Sequence, residues 1–432
     1  MKNFVLLFVA ACSGNAPPAW TGAPTSMQLV QGQTQSIAIQ VAAGVTATAS
    51  AGAVETNVGE GTIVVHAAFD APASDMITVK LDDGQGGVAT YPIAVTIAPI
   101  QWTRDLQWTT PGPIAREHGT FLIDETARNA FLIGGSGYSP QGTALADFWK
   151  LDVDAGTWTQ ITPTGDVPPP LASTRAVRMP GTTTAYVFGG YTGDGTADTG
   201  DLYRVDYGSG ALAFKKLTQV SPPTARELHG FGYDPQTQRF VVFGGFAYAF
   251  GKAMNDTWIM QLSSDGGTAT WSKLAGDAPT ARYGFFYGTD EGSGRFVVYS
   301  GAQNPKGTDQ INAAQDTWAL DLRADTPAWT QVLDGTEANH APGRRNGCFV
   351  VDPRGPSLYV FGGTSDGMTT QPGLWALDMR PGHEGFSEIV RPSEPILRSS
   401  DFGFYDAKTG TVSCGFGNST QGLYTDLASI GP

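Results

Sequence analysis

A short apolar run that ends in two glycines recurs along most of the chain. Its clearest copy covers residues 240–245, in which four successive apolar residues precede Gly244 and Gly245. Apolar residues without polar alternation predict a strand that is covered on both faces. A pair of glycines suits a backbone that needs positive φ or the close approach of a neighbour.

The run repeats with a regular spacing. If the first glycine, or the serine or cysteine in its place, is counted, the copies lie at residues 134, 189, 244, 300, 362 and 414. The steps between them are 55, 55, 56, 62 and 52 residues. This period indicates one structural unit repeated in tandem. The 56 glycines and 28 prolines, together with the absence of long helical periodicity, favour an all-β protein.

Each copy shows four elements in the same order: an arginine, the apolar run, an Asp-x-Trp or Asp-x-Tyr segment, and a Trp or Phe. The arginines are Arg116, Arg175, Arg226, Arg282, Arg344 and Arg398, and the third elements begin at Asp147, Asp201, Asp256 and Asp316. In the last two copies Trp375 and Tyr424 keep the aromatic residue without the aspartate. Together these residues resemble the Kelch repeat from residue 116 to residue 427. The resemblance implies a β-propeller of four-stranded blades.

The sixth copy stops after its third strand, near Leu427. Residues 102–106 can supply the missing fourth strand, because Trp102 precedes Pro113 and Arg116 as other fourth elements precede their arginine. We therefore expect this strand to close the last blade. The expected architecture of residues 101–432 is a six-bladed Kelch β-propeller.

The first residues are typical of an exported protein. A lysine, an apolar run over residues 4–11 and small residues precede Cys12. Residues 9–12 resemble the bacterial lipobox, which implies that residues 1–11 are a signal peptide, that Cys12 is lipidated and that residues 12–26 are a tether. An ordinary signal peptide that contains a cysteine is the alternative. The resemblance implies a lipoprotein of the bacterial cell envelope, in the outer membrane and facing the periplasm or the cell surface. The lipid would be its only membrane contact.

Residues 27–99 are expected to form a separate small domain. Apolar and polar residues alternate over residues 36–41, 62–66 and 77–81, and residues 82–87 predict a hairpin turn. The segment from residue 77 to 97 resembles the last hairpin of bacterial immunoglobulin-like and cadherin-like modules. The expected fold class is therefore all-β, with a small immunoglobulin-like β-sandwich before the propeller.

Charge and cysteine content narrow the function classes. A net charge of −14 argues against nucleic acid as a partner, because nucleic-acid binding needs a basic surface. Cys348 and Cys414 fall in strands of different rank in neighbouring repeats. We expect them to be free buried thiols and not a disulfide.

Strand direction separates two faces of the propeller. In an up-and-down blade, the loops after the second and fourth strands leave one face and the other loops leave the opposite face. The six arginines and the longest loops share the first of these faces, which we expect to bind the ligand. The arginines have two interpretations: structural groups that bind carbonyls or a carboxylate between blades, or a positively charged mouth for an anionic group.

Other candidate ligand-binding residues lie near this face. Phe246, Tyr248 and Phe250 alternate just after a predicted strand, either as an extension of that strand or as a contact surface for a partner. His118 and His229 follow Arg116 and Arg226, and they either line the mouth or are satisfied inside the blades.

Enzymatic alternatives have little support in the sequence. Galactose oxidase-type copper enzymes also use Kelch propellers, but the resemblance does not extend to their site, since no Tyr-His pair occurs here. Sugar-epimerising Kelch enzymes use a Glu with an Arg, and Glu117 and Glu227 stand beside Arg116 and Arg226. A glutamate beside an arginine is more often a solvated or ion-paired residue. We therefore assign no catalytic residue and expect no cofactor or metal.

The expected function is that of an envelope-anchored, non-catalytic binding module. We expect it to be a monomer that recognises a protein or carbohydrate ligand at the long-loop face. The alternative is a carbohydrate-active enzyme on the same scaffold, either a sugar epimerase or a copper radical oxidase.

Overall fold

The structure, a computed structural model, describes residues 17–431 except for residues 60, 107–110, 138–141, 194–196, 304–311, 368, 391–396 and 420–421. The chain divides into two compact units, Met1–Pro99 and Ile100–Pro432. The expected signal peptide and Cys12 lie outside the described residues. Within the described residues, no helix is both long enough and apolar enough to cross a membrane.

The first unit consists of two β-sheets around one apolar core. The first sheet contains, in spatial order, Ser26–Val30, Val88–Ala98, Ser74–Asp82 and Thr46–Ser50, and the second contains Thr34–Ala38, Thr62–Ala67 and Val54–Gly59. Alternate residues Ile77, Val79 and Leu81 are buried and share the core with Ile63 and Val65. The polar-apolar alternation in the sequence therefore corresponds to strands with one buried face.

The described part of the second unit contains six larger sheets, named sheets 1 to 6 here, each built on four antiparallel strands, besides several short ribbons. Sheet 1 contains Thr120–Asp124, Asn129–Ile133, Phe148–Asp152 and Thr157–Ile161. Sheet 2 contains Arg175–Arg178, Thr184–Phe188, Leu202–Asp206 and Ala213–Lys216. Sheet 3 contains Gly230–Asp234, Arg239–Phe243, Thr257–Leu262 and Thr268–Lys273. Sheet 4 contains Phe286–Asp290, Arg295–Tyr299, Thr317–Asp321 and Trp329–Leu333. Sheet 5 contains Cys348–Asp352, Ser357–Phe361, Leu374–Asp378 and Gly385–Glu388. Sheet 6 contains Phe402–Asp406, Thr411–Gly415, Leu427–Gly431 and Gln101–Leu106. Thr164–Gly165 and Thr218–Val220 add parallel outer strands to sheets 2 and 3.

The fourth strand of sheet 6 comes from the beginning of the unit. Gln101–Leu106 pairs antiparallel with Leu427–Gly431, the strand that ends at the last described residue of the chain. The first strand of each sheet contacts the first strand of the next, and that of sheet 6 contacts that of sheet 1. The six sheets therefore form a closed ring, with their first strands at the centre.

A belt of backbone hydrogen bonds runs around the inside of the ring. Its members are His118, Ser173, Leu228, Gly284, Asn346 and Ser400, one from the start of each sheet. Each member's N–H donates to the carbonyl oxygen of the preceding member, and His118 donates to Ser400, which closes the circle. All six have φ between 52° and 61°. Five of them are not glycine, and this left-handed conformation is uncommon for such residues.

Two details of sheets 5 and 6 differ from the sequence-based expectation. The third strand of sheet 6 begins at Leu427, whereas Leu423 belongs to a short ribbon in which Asn418–Ser419 pairs with Gly422–Leu423. The aspartate of this repeat is therefore present, as Asp426 directly before the strand.

The expectation of free thiols is wrong, because Cys348 and Cys414 form a disulfide. Their Cα atoms lie 5.9 Å apart, within the usual range for a disulfide. Cys348 begins the first strand of sheet 5, and Cys414 lies in the second strand of sheet 6 opposite Gly403. A Cβ atom on Gly403 would stand 2.8 Å from the sulfur of Cys348. The missing side chain therefore leaves room for the cysteines to meet across the interface between the sheets.

Candidate functional site

The long-loop face begins where the second strands end in glycine pairs. After sheet 3's second strand, Gly244 and Gly245 have φ of 60° and 95°. A Cβ atom on Gly245 would lie 2.6 Å from the carbonyl oxygen of Glu227, so a larger residue would collide with the backbone there. In the described part of the chain, short ribbons follow five of the glycine pairs or their equivalents: Ser136–Gly137 with Arg116–Glu117, Tyr191–Thr192 with Leu171–Ala172, Phe246–Ala247 with Lys252–Ala253, Ala302–Gln303 with Asn312–Ala313, and Asn418–Ser419 with Gly422–Leu423.

The repeat arginines point into the sheets beneath this face. In sheet 3, the two terminal nitrogens of Arg226 donate to the two carboxylate oxygens of Asp256 at 2.6 and 3.0 Å. The same guanidinium donates to the carbonyl oxygen of Gly244 at 2.9 Å. The indole nitrogen of Trp258 donates to Asp256 at 2.7 Å. The Asp-x-Trp segment is thus a clamp in which one aspartate holds both the arginine and the tryptophan.

The clamp recurs around the ring. Arg116 pairs with Asp147, Arg282 with Asp316 and Arg398 with Asp426, each at 2.7 Å, and Arg344 donates to the carbonyl oxygens of Gly362 and Pro372. Burial alone would raise the pKa values of these aspartates. Their hydrogen-bonded arginine partners outweigh this effect, so the pKa values lie below the ordinary value. The five guanidinium groups are almost completely buried. These contacts favour the structural interpretation of the arginines over a charged mouth.

Arg175 is not equivalent to the other five arginines. It begins the first strand of sheet 2 and lines the central channel. Leu171 occupies the place that Arg226 has in sheet 3, because Leu171 lies two residues before the belt residue Ser173, as Arg226 lies two residues before Leu228. The prediction that Arg175 is the repeat arginine of sheet 2 is therefore wrong, because the equivalent position is Leu171, four residues earlier.

The two candidate histidines occupy different environments. The His229 side chain is fully buried between the rings of Phe188 and Phe231, whose centroids lie 5.3 and 6.5 Å from its own. Burial places the pKa of His229 well below its usual value. His118 belongs to the belt and lines the channel, and burial also lowers its pKa. Both histidines are therefore neutral at pH 7.

The aromatic segment forms an exposed turn on the long-loop face. Phe246–Ala247 pairs with Lys252–Ala253, and a single 3-10 turn, Tyr248–Phe250, joins them. The ring of Phe246 packs on that of Tyr283 at 5.3 Å. Tyr248 and Phe250 are 46% and 57% exposed. The segment is thus a short ribbon beside sheet 3. Phe246 packs against Tyr283, whereas Tyr248 and Phe250 are exposed.

Two carboxyl groups lie beneath this turn. The backbone N–H of Tyr248 donates to a carboxylate oxygen of Asp198. Glu227 and Phe246 exchange two backbone hydrogen bonds, each of 2.9 Å. Burial raises the pKa of Asp198 to about 6. Burial and the charge of Asp198 raise the pKa of Glu227 to about 7. The pair is therefore partly protonated near neutral pH.

The central channel is a cavity of about 320 Å³ lined by the first strands of all six sheets. The belt residues His118, Leu228, Asn346 and Ser400 line it near the long-loop face. Glu125 and Arg178, an ion pair at 3.1 Å, line it near the opposite face. The part of the chain that the structure describes contains no group of three or more histidine, cysteine, aspartate or glutamate side chains able to hold a metal.

Comparison with known families identifies the repeat. The Kelch-repeats domain described by KLHDC2, KLHL20 and DRC7 matches residues 117–333 and, in a second overlapping match, residues 179–383. The matches cover more than half of the chain. The chain belongs to the Kelch-repeat family.

Kelch-repeat relatives from plants share part of their length with this chain. Adagio-like protein 1 of Oryza sativa subsp. japonica is 23% identical over 292 residues, which are 66% of this chain and 44% of the relative. Adagio protein 3 of Arabidopsis thaliana is 22% identical over 307 residues, which are 69% of this chain and 46% of the relative. The chain therefore spans a little less than half the length of these curated relatives.

Solved structures resemble the Kelch unit at low identity. A structure titled as that of YjhT superimposes with a TM-score of 0.52 at 14% identity and covers 74% of this chain and 99% of its own. A chain of the cryo-EM structure of RAG with one melted and one unmelted RSS gives a TM-score of 0.51 at 14% identity, over 76% of this chain and 99% of its own. At this identity the likeness shows the fold alone.

Proposed function

We propose that this Kelch-repeat protein is an exported, non-catalytic binding module that holds a protein partner on the long-loop face of its ring. The exposed pair Tyr248 and Phe250 carries the proposal. Large apolar side chains grouped on one face are typical of interaction sites. Lys252 lies beside Phe250, with its amine 5.8 Å from the ring centre, so the turn offers both apolar contact and a positive charge. Membership of the Kelch family supports a protein-binding role.

The buried arginines do not belong to this docking surface. Arg226 and Arg282 have no exposed area, and neither has His229. We propose that they stabilise the ring on which the aromatic turn is displayed. The proposed contacts are Tyr248, Phe250 and Lys252, with Phe246 as the residue that fixes the turn to Tyr283.

The proposed architecture is a six-bladed propeller preceded by an immunoglobulin-like domain. The six four-stranded sheets, their closed ring of contacts and the pairing of Gln101–Leu106 with the last strand support six blades. The two sheets around one core in the first unit support a sandwich.

We also propose that the protein acts in the bacterial cell envelope through a lipid on Cys12. The Cys348–Cys414 disulfide supports an oxidising compartment, because disulfides persist outside the reducing cytosol. Mass spectrometry of the native protein tests the anchor. A diacyl or triacyl mass on Cys12 supports it, and a mature chain that begins elsewhere without lipid contradicts it.

A carbohydrate-active enzyme is the second candidate function. The observation in its favour is Glu227, because a carboxyl group with a pKa of about 7 suits general acid-base catalysis. If the protein turns over sialic or uronic acids and Glu227→Gln abolishes turnover, the enzyme replaces the binding module. Activity that survives Glu227→Gln would exclude Glu227 as the base.

The binding proposal is tested with matched surface variants. Wild type, Tyr248→Ser/Phe250→Ser and Val220→Ser are immobilised, and bound envelope proteins from the producing cells are quantified by mass spectrometry. Val220 is a matched control, since it is 47% exposed on the outer strand of sheet 3. We expect a protein that wild type and Val220→Ser retain and that the double variant loses about tenfold or more. Equal retention by all three, at unchanged melting temperatures, would contradict the proposed surface.

A further inference from the structure

The central channel contains an arginine, Arg175, that forms no ion pair with any carboxylate among the residues that the structure describes. The side chain of Arg175 lines the cavity, and its Nε donates to the carbonyl oxygen of His229 at 3.2 Å. Its guanidinium carbon lies 5.7 Å from the centre of the Phe349 ring. Among the described side chains, none forms an ion pair with it. A charge enclosed by protein is costly unless a counter-charge accompanies it.

We propose that the channel is a binding site for a small organic carboxylate with an apolar body, which pairs with Arg175. This site is separate from the aromatic turn proposed above to hold a protein partner. It goes beyond that function, because its ligand is a small molecule inside the ring.

Glu227 acts on Arg175 electrostatically but is only partly ionised near pH 7, so it cancels only part of the arginine's charge. Burial raises the pKa of Glu227 to about 7 and raises that of Asp401 well above its usual value. Burial lowers the pKa values of His118 and His229, so both imidazoles are neutral. Tyr287 faces Arg175, and burial raises its pKa, so its phenol is neutral as well. An anion in the channel therefore meets a net positive charge, although the whole chain carries −14.

The far end of the channel is already neutralised. Arg178, three residues along the same strand, pairs with Glu125 at 3.1 Å. Glu291 also lines this end, and burial raises its pKa. Arg178 already has a carboxylate partner. Arg175 is therefore the arginine of this strand that can pair with the carboxylate of a ligand.

The surroundings of Arg175 suit an apolar ligand body. Phe349 and Tyr287 lie beside Arg175, and Phe121 and Phe231 line the same cavity. A guanidinium can lie over an aromatic ring and still present its planar edge to both oxygens of a carboxylate. A volume of about 320 Å³ is at the lower end of the range for small-molecule pockets.

The belt restricts what can enter from the long-loop face. Six hydrogen-bonded neighbours spaced about 5 Å apart, as adjacent strands are, form a circle with a radius of about 5 Å between backbones. The side chains of His118, Leu228 and Asn346 reduce this opening further. A compact small molecule fits such an opening better than a polypeptide loop does.

Benzoate is the probe for the site, and benzamide is its uncharged counterpart. Binding is measured by saturation-transfer-difference NMR titration on the full chain. We expect benzoate to bind wild type saturably at millimolar concentrations and benzamide to bind much more weakly. Arg175→Met should weaken benzoate binding about tenfold or more, the loss expected for a charge-assisted contact. Arg175→Lys, which keeps the charge without the fork of donors, should fall between them.

Two controls separate binding from structure. Arg178→Met, on the same strand, should change benzoate affinity less than about twofold, because its guanidinium is already paired. Arg175→Met should not lower the melting temperature, since it removes an enclosed charge without an ionic partner. Tyr248→Ser/Phe250→Ser should bind benzoate like wild type, so failure of this site and failure of the protein-binding surface are distinguishable.

Several results would overturn the proposal. They are the absence of saturable benzoate binding up to about 20 mM, equal binding of benzamide, and unchanged affinity in Arg175→Met. A large fall in the melting temperature of Arg175→Met, together with benzoate binding that does not depend on the probe's charge, would assign Arg175 a structural role.

Discussion

Four of the repeat arginines pair with an aspartate, and each donates its hydrogen bonds to groups of its own sheet. Arg226 satisfies both oxygens of Asp256, the carbonyl oxygen of Gly244 and that of Thr224. These contacts connect the start of the first strand, the end of the second and the start of the third. One side chain thus fixes three strand ends, which explains why Arg and Asp-x-Trp occur together in the repeat.

Replacing Arg226 should destabilise the ring strongly. Arg226→Met leaves Asp256, whose side chain is 9% exposed, without its counter-charge. We expect a loss of roughly 3–5 kcal/mol in the free energy of unfolding, the usual result of breaking one half of a buried pair. Urea unfolding followed by tryptophan fluorescence measures it.

Arg204→Met is the control for this substitution. Arg204 and Asp206 also form an ion pair, but their side chains are 39% and 46% exposed. An exposed pair contributes less than about 1 kcal/mol. If Arg226→Met and Arg204→Met lost similar stability, the clamp would not be the structural element inferred here.

Asp401 presents the opposite case, a buried carboxyl group without a compensating partner. Neither of its side-chain oxygens has a hydrogen-bond partner in the described part of the chain. Burial raises its folded-state pKa well above the ordinary value, although Arg398 acts in the other direction. The protein is therefore most stable with respect to this group at a pH below the unfolded-state pKa. As the pH rises toward the folded-state pKa, the unfolded chain loses the proton more readily, and the free energy of unfolding falls.

Asp401→Asn should consequently stabilise the protein at neutral pH. We expect a gain of roughly 1–3 kcal/mol in the free energy of unfolding at pH 7, because the buried aspartate must take up a proton on folding and asparagine does not; each unit by which the folded-state pKa exceeds the unfolded-state pKa is worth about 1.4 kcal/mol. The gain should shrink toward zero at about pH 3, where the aspartate is largely protonated in both states. Urea unfolding of both proteins at the two pH values measures the difference. A gain that is the same at both values would show that the charge of Asp401 is not its cause.

At the scale of the strands, the pattern of apolar residues predicts whether a strand is buried on both faces or on one. The apolar run ahead of Gly244 corresponds to Arg239–Phe243, whose last four residues are fully covered. The alternation in residues 77–81 corresponds to a strand with one covered face. Such patterns follow directly from burial, so they can be read without knowledge of long-range contacts.

The position of Arg175 differs from that of the other five arginines, and the spacing inside the repeat reveals the difference. Arg116, Arg226, Arg282, Arg344 and Arg398 each donate to the carbonyl oxygen of the residue 18 positions later. Arg175 precedes Gly189 by only 14 residues, and Leu171 precedes it by 18. The same spacing from Arg398 reaches Phe416, so the last repeat is centred on Phe416 and Gly417, two residues after Cys414. A fixed interval within the repeat was the available signal.

Contacts between sheets could not be predicted in this way. Strand rank suggested that Cys348 and Cys414 were apart, but the first strand of sheet 5 also packs against the second strand of sheet 6. The absence of a side chain at Gly403 then allows the disulfide. The belt is equally hidden in the sequence, since its members include histidine, serine, leucine, glycine and asparagine. Its members share a backbone conformation and a position two residues after the repeat arginine, or after Leu171 in sheet 2, but no residue type.

At the scale of the whole molecule, closure of the ring depends on one strand from outside the tandem order. Gln101–Leu106 supplies the fourth strand of sheet 6. Without it, Leu427–Gly431 would present an unpaired edge, and the last sheet would have three strands. Unpaired edges lose hydrogen bonds and promote association between chains.

Two truncations test the closure. A chain that starts at Ile100 retains the strand and should melt cooperatively, with its ring as stable as in the full chain. A chain that starts at Gln107 lacks the strand, and we expect its melting temperature to fall by about 10 °C or more, with a tendency to aggregate. Differential scanning calorimetry with light scattering measures both properties.

A permuted chain separates the role of the strand from the effect of shortening. Residues 100–106 can be moved behind residue 432 through a linker of about four residues, which joins them as the neighbouring antiparallel strand of Leu427–Gly431. This chain begins at Gln107 yet contains the closing strand, so its melting temperature should return to that of the longer truncation. If the permuted chain stays as unstable as the chain from Gln107, or if all three melt alike, the pairing with Leu427–Gly431 does not hold the ring together.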